Sequence, residues 1–120
     1  MAESILRQKS YAFALGVIKV YKQIVADHKE YVLSKQFLKA GTSIGALVRE
    51  AEFAQSKPDF ISKMSIALKE SNETDYWVSL LHDSGFISIE IATKLLADNK
   101  ELISMLISSI KTAKQSLKPK

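Results

Sequence analysis

Apolar residues recur at intervals of three and four along nearly the whole chain, and nowhere do they alternate over the length of a strand. Four such segments, residues 3–27, 35–55, 57–83 and 89–115, are separated by short polar breaks and followed by a basic tail over 116–120. This pattern specifies long helices and excludes a sheet. Four glycines and two prolines in 120 residues leave little chain for loops. Helices of this length span about 30–40 Å, and connections this short force neighbours to run antiparallel. The expected fold is all-α: one domain over residues 1–120, an antiparallel up-down-up-down four-helix bundle.

The first segment carries two apolar stripes. Leu6, Phe13, Val17, Val20 and Ile24 form one, and Tyr11, Leu15, Ile18 and Val25 form another. The step from Phe13 to Ile18 turns about 140° at ~100° per residue, so the stripes lie nearly opposite. Burial of both calls for a second subunit, with Tyr11 and Ile18 as interface candidates. In the second segment Ser34 is the expected N-cap, and Phe37, Leu38, Ile44, Leu47, Val48, Ala51 and Phe53 form the apolar side. Its GTSIG stretch holds two glycines inside a helical pattern, each costing about 1 kcal/mol against alanine. Gly41, Ser43 and Gly45 are therefore expected at a close helix–helix approach.

Ser56-Lys57-Pro58-Asp59 has the form of a helix start, with proline in the first turn. Phe60, Met64, Ala67, Leu68, Val78 and Leu81 follow, and Gly85 suits a left-handed stop. Ser88 opens the fourth helix. There Ala92, Leu96, Asn99, Ile103, Leu106, Ile110, Ala113 and Leu117 alternate steps of four and three, a coiled-coil-like seam. Asn99 interrupts it, either as a buried register-setting group or as an edge residue bonded to water. Tyr76 and Trp77 point about 100° apart, so one is expected in the core and the other at an interface, with Trp77 the interface candidate.

Catalytic constellations are not evident. Without cysteine there is no thiolate chemistry, and His28 and His82 both stand near helix ends. No glutamate has histidine three residues later, as a di-iron bundle requires, and no Gly-rich phosphate loop follows a strand. The expectation is a non-enzymatic protein with no catalytic residue, metal or cofactor. No run approaches the ~20 apolar residues that cross a bilayer, and the N-terminus lacks a signal-peptide charge pattern. A soluble cytoplasmic protein, away from the membrane, is expected.

Net charge is +4. Residues 1–27 carry four basic and two acidic side chains and residues 84–120 carry six and three, whereas residues 57–83 are net acidic. The positive excess thus lies toward both ends of the chain. Arg7 and Lys9 near the N-terminus, and Lys111, Lys114 and Lys118 in the tail, are the candidates for nucleic-acid phosphate contacts.

The region from Ser34 to Leu81 resembles a known family, most specifically in GTSIGALVREAEFAQSKPDF and SIALKESNETDYW. It is similar to the bacterial four-helix-bundle proteins first noticed as open reading frames within intervening sequences of 23S ribosomal RNA genes. Thr42 to Ala46, Arg49 to Ala51, Ala54 to Lys57, Asp59, Phe60, Ala67 to Glu70, Glu73, Thr74, Tyr76 and Trp77 follow that pattern. Leu47 departs from it where many members have asparagine. The resemblance implies a four-helix bundle assembling into a homopentameric ring. A related branch, the accessory proteins of diversity-generating retroelements, implies a basic barrel that binds nucleic acid and a reverse transcriptase. The leading functional expectation is an oligomeric assembly or adaptor protein that binds RNA or DNA weakly. The alternative is a protein–protein interaction module with a protein partner and no nucleic-acid role.

Overall fold

Each helix begins where a side-chain oxygen takes up backbone N–H groups that would otherwise lack partners. The computed structural model describes residues 4–117, which form α1 (Ile5–His28), α2 (Leu33–Glu52), α3 (Lys57–Asp83) and α4 (Ile89–Leu117). Ser4 Oγ accepts from the N–H of Arg7 at 3.0 Å, Ser56 Oγ from Asp59 at 3.2 Å and Ser88 Oγ from Ile91 at 3.2 Å.

α2 starts differently from expectation. Ser34 is not its cap: it lies inside the helix, fully buried, and its hydroxyl donates to the carbonyl of Glu30 at 2.6 Å. The Glu30 carboxylate instead accepts from the N–H groups of Val32, Leu33 and Ser34 at 3.0, 2.9 and 2.8 Å. Desolvation works to raise the Glu30 pKa. The backbone N–H groups of Leu33, Ser34 and Val32, with the Ser34 side chain, outweigh it and hold the carboxyl below its ordinary value.

Two helices end in left-handed residues. Lys29 closes α1 with φ 51°, its N–H donating to Val25 O at 3.0 Å. After α3, Gly85 has φ 85° and donates to His82 O at 3.0 Å, while Phe86 donates to Leu81 O at 2.9 Å. That pair of bonds is a Schellman stop, and a glycine supplies the positive φ without a Cβ clash.

Each helix packs on its chain neighbours, α1 also packs on α4, and the backbones of the two diagonal pairs stay apart. Cross-helix contacts fix the directions. Arg7 at the start of α1 meets Glu52 at the end of α2, and Lys63 near the start of α3 meets Glu50 of α2. Lys57 at the start of α3 donates to Ser116 near the end of α4. Consecutive helices therefore run antiparallel, in a body of 55 × 24 × 20 Å.

The core is built mainly from apolar side chains, Phe13, Val17, Ile24, Phe37, Ile44, Val48, Val78, Leu81, Leu102 and Leu106 among others. α1 packs tightly on α2 at Gly41, where an added Cβ would lie 2.7 Å from Val17 Cγ2. At Gly45 it would lie 3.3 Å from the Ser10 carbonyl oxygen. Asn99 is wholly buried. Its Nδ2 donates to the Ser71 carbonyl at 2.8 Å and to Asp75 Oδ1 at 2.6 Å, and its Oδ1 accepts from the Ser71 hydroxyl. These bonds lock α4 to α3 in one register, as a single buried polar residue does in coiled coils.

The α4 seam departs from expectation at three positions. Leu95 and Leu102 are buried, whereas Leu96 and Ile103 are half-buried and Leu117 is exposed. α2 also stops three residues earlier than the periodicity suggests, which leaves Phe53 beyond its last turn and exposed rather than on the apolar side.

Candidate functional site

The second stripe of α1 is the outer wall of a groove. Tyr11 and Leu15 remain 56% and 53% exposed, and Ile18 is half-buried. They face the outward row of α2, where Thr42, Ala46 and Arg49 follow one another at helical spacing and Phe53, 79% exposed, closes the end. The groove encloses 900 Å³ and is bordered by Arg7, Lys63, Glu50 and Asp59. Arg7 reaches Glu52 at 3.6 Å and Lys63 reaches Glu50 at 3.8 Å. Arg49 has no carboxylate partner among the described residues.

α3 presents a second exposed surface. Leu68, Lys69, Asn72, Glu73, Tyr76 and Trp77 line a shallow depression of 670 Å³. Trp77 is half-buried and packs against the core, while Tyr76 is 60% exposed and meets it edge-on, with ring centroids 5.0 Å apart. The aromatic available to a partner is thus Tyr76, and Trp77 supports it from below. Glu73 has no cation partner among the described residues.

The candidate phosphate contacts separate into two groups. Arg7 and Lys9 both face carboxylates, Lys9 pairing with Glu101 at 3.1 Å. Lys111 and Lys114 are exposed and form no ion pair among the described residues, and Lys118 lies outside them. A group not singled out from the sequence is more concentrated. Lys19, Lys22, Lys29, Lys35 and Lys39 are all exposed and unpaired among the described residues. Lys22 continues the row of Ile18, and Lys35 and Lys39 continue the row of Thr42 and Ala46. They therefore extend the outward α1–α2 face from the groove toward the turn. Within residues 19–39 the acidic side chains are Asp27 and Glu30, and Glu30 is occupied in capping α2. The sequence signal is present, five lysines in twenty-one residues, but its concentration emerges only once the hairpin folds the two helices together.

Of the small residues, Gly41 and Gly45 face α1, as the contacts with Val17 and Ser10 require. Ser43 is half-buried and turns its hydroxyl back on the Lys39 carbonyl at 2.6 Å. Among the described residues no cluster of His, Cys, Asp and Glu is placed to hold a metal ion. His28 stacks edge-on against Phe86 at 5.3 Å, and His82 contacts Asp83 at 3.0 Å. No helix among the described residues is long and apolar enough to cross a membrane.

The family model of 23S rRNA-intervening sequence proteins matches residues 2–108. The chain belongs to that family. In this 23S rRNA-intervening sequence protein, Thr42, Gly45, Ala46 and Arg49 line the groove between α1 and α2, and Lys69, Glu73, Tyr76 and Trp77 line the depression on α3. A solved structure from Bacteroides thetaiotaomicron VPI-5482, described as a protein with unknown function from the S23 ribosomal protein family, is 48% identical. It superposes with a TM-score of 0.88 over 89% of this chain and 99% of its own. No curated protein matches the chain.

Proposed function

We propose that this 23S rRNA-intervening sequence protein is a non-enzymatic assembly or adaptor protein of the cytoplasm. It forms a homo-oligomer, of five copies by resemblance, and binds RNA or DNA weakly through phosphate contacts. The observation that carries the nucleic-acid part is the set of lysines along α1, α2 and their turn, Lys19, Lys22, Lys29, Lys35 and Lys39, exposed and unpaired among the described residues. A lysine already held by a carboxylate has little left to offer a phosphate, whereas an unpaired one releases a condensed counterion on contact. Repetition of the set in an oligomer multiplies a modest field into one that attracts a polyanion. The exposed apolar groove beside these lysines supports assembly, since a patch of this kind marks an interaction site.

Fluorescence anisotropy with short RNA and DNA tests this reading. Binding at about 50 mM salt should weaken at least tenfold by about 200 mM. Lys35→Ala with Lys39→Ala should weaken binding to every sequence alike and reduce the salt slope by about one for each phosphate no longer neutralised. The same change at Lys111 and Lys114 is the comparison for the tail. Absence of binding at the lower salt would leave an oligomeric protein-interaction module with no nucleic-acid role.

A further inference from the structure

Four aromatic side chains are exposed among the described residues, Tyr11, Tyr31, Phe53 and Tyr76. Tyr11 and Phe53 belong to the groove, and Tyr76 stands beside both Lys69 and Glu73 on α3. Tyr31 is the one placed within a cluster of lysines. It occupies the α1–α2 connection, 50% exposed, two residues after Lys29 and four before Lys35, and Val32 beside it is also exposed. Lys22 lies two turns before Lys29, and Lys39 one turn after Lys35.

The carboxylates near this turn are occupied or face elsewhere. Glu30 accepts from three backbone N–H groups at the start of α2, so that helix end has no room for a phosphate. Asp27 lines the depression on the other side of α1, with Gly85 and Ile91, and Asp83 at the same pole meets His82. Lys22, Lys29, Lys35 and Lys39 form no ion pair among the described residues.

Shape decides which form of nucleic acid suits this arrangement. The bundle is 24 × 20 Å across, broader than a major groove of about 12 Å. A duplex can therefore meet these lysines only with its outer phosphates, its base faces stacked out of reach. A single strand leaves its bases free, and an exposed ring among cations holds them whatever their sequence.

We propose that the bound form is single-stranded, with phosphates on Lys22, Lys29, Lys35 and Lys39 and a base stacked on Tyr31. This rests on the nucleic-acid reading above and names its substrate class and stacking residue. Charge alone favours the opposite order, since a duplex carries one charge per about 1.7 Å and each strand only one per about 3.4 Å. The order of affinities thus separates stacking from simple attraction.

The test is fluorescence anisotropy of the full chain at about 50 mM salt, with a labelled single strand and a blunt duplex of equal length. The single strand should bind several-fold more tightly. Tyr31→Ala should weaken single-strand binding about tenfold. It should leave duplex binding and both salt slopes unchanged. Tyr31→Phe keeps the ring and should keep the affinity. On the native chain, irradiation of a strand carrying 5-iodouracil should place the crosslink on Tyr31, located by mass spectrometry. A duplex bound as tightly as the single strand overturns the inference and leaves phosphate binding standing. So does a Tyr31→Ala variant with native single-strand affinity, or a crosslink that falls elsewhere. Binding of neither form would instead overturn the nucleic-acid reading itself.

Discussion

Three glycines of this chain look alike in sequence and differ in what they do. Gly16 has nothing within 4 Å of where a Cβ would stand, whereas Gly41 would put one 2.7 Å from the buried side chain of Val17. Gly16→Ala should stabilise the protein by about 0.5–1 kcal/mol, the helix-propensity gain alone. Gly41→Ala makes the same gain but overpacks a stiff β-branched neighbour, at a cost of about 1–3 kcal/mol, so the net change should be destabilising. Urea midpoints of the two variants check the opposite signs. Gly85 differs again, since its φ of 85° makes the backbone itself the constraint. Asn99 carries a pH-dependent prediction. Asn99→Asp would place a second carboxyl beside Asp75 at a position with no exposure. Burial and like charge raise the folded pKa of the new carboxyl above its unfolded value of about 3.9. The variant should therefore lose about 3 kcal/mol at pH 7, and its deficit against the native chain should shrink as pH falls through that raised value. A deficit that does not vary with pH would show that the position tolerates the charge.

Among the elements, α2 has the start most exposed to solution conditions. Glu30 holds three backbone N–H groups, and its carboxyl is kept below its ordinary value despite desolvation. A depressed carboxyl contributes stability above the unfolded pKa, about 4.3, and loses it as pH falls through the lower folded value. Glu30→Gln should cost about 1 kcal/mol near neutrality, and the two proteins should converge in stability below that window. Denaturation midpoints at several pH values measure it, and equal midpoints at pH 7 would remove the cap assignment. The four helices were legible in the sequence because a 3.6-residue period persists through each. What was not legible depended on neighbours. Glutamate is not a usual cap, and Glu30 serves only because its side chain folds forward over the first turn of α2. Leu95-Leu96 and Leu102-Ile103 are adjacent apolar pairs, so a seam can be drawn through either member. The position of α3, locked by Asn99 to Ser71, selects Leu95 and Leu102.

At the scale of the whole molecule, charge is arranged by pairs that the linear order hides. Lys9 and Glu101 stand far apart in sequence and 3.1 Å apart in space, which removes Lys9 from the unpaired cations. Lys22, Lys35 and Lys39 share the outward α1–α2 face because a four-residue connection brings the two helices side by side, whereas Lys19 lines the depression between α1 and α4. Charge summed by segment therefore points to the chain ends, and folding moves the emphasis to the α1–α2 hairpin. The antiparallel directions have a further consequence. Ser4 and Leu117 lie at the same pole of the bundle, together with the α2–α3 break, while the α1–α2 and α3–α4 turns occupy the other. The four helix contacts thus form a closed cycle in which no connection is privileged. A circular permutant linked near Ser4 and Leu117 and opened between residues 53 and 56 would keep every one of them. A fluorophore on either end would then report from one pole while leaving the Lys29 turn, at the other, unobstructed.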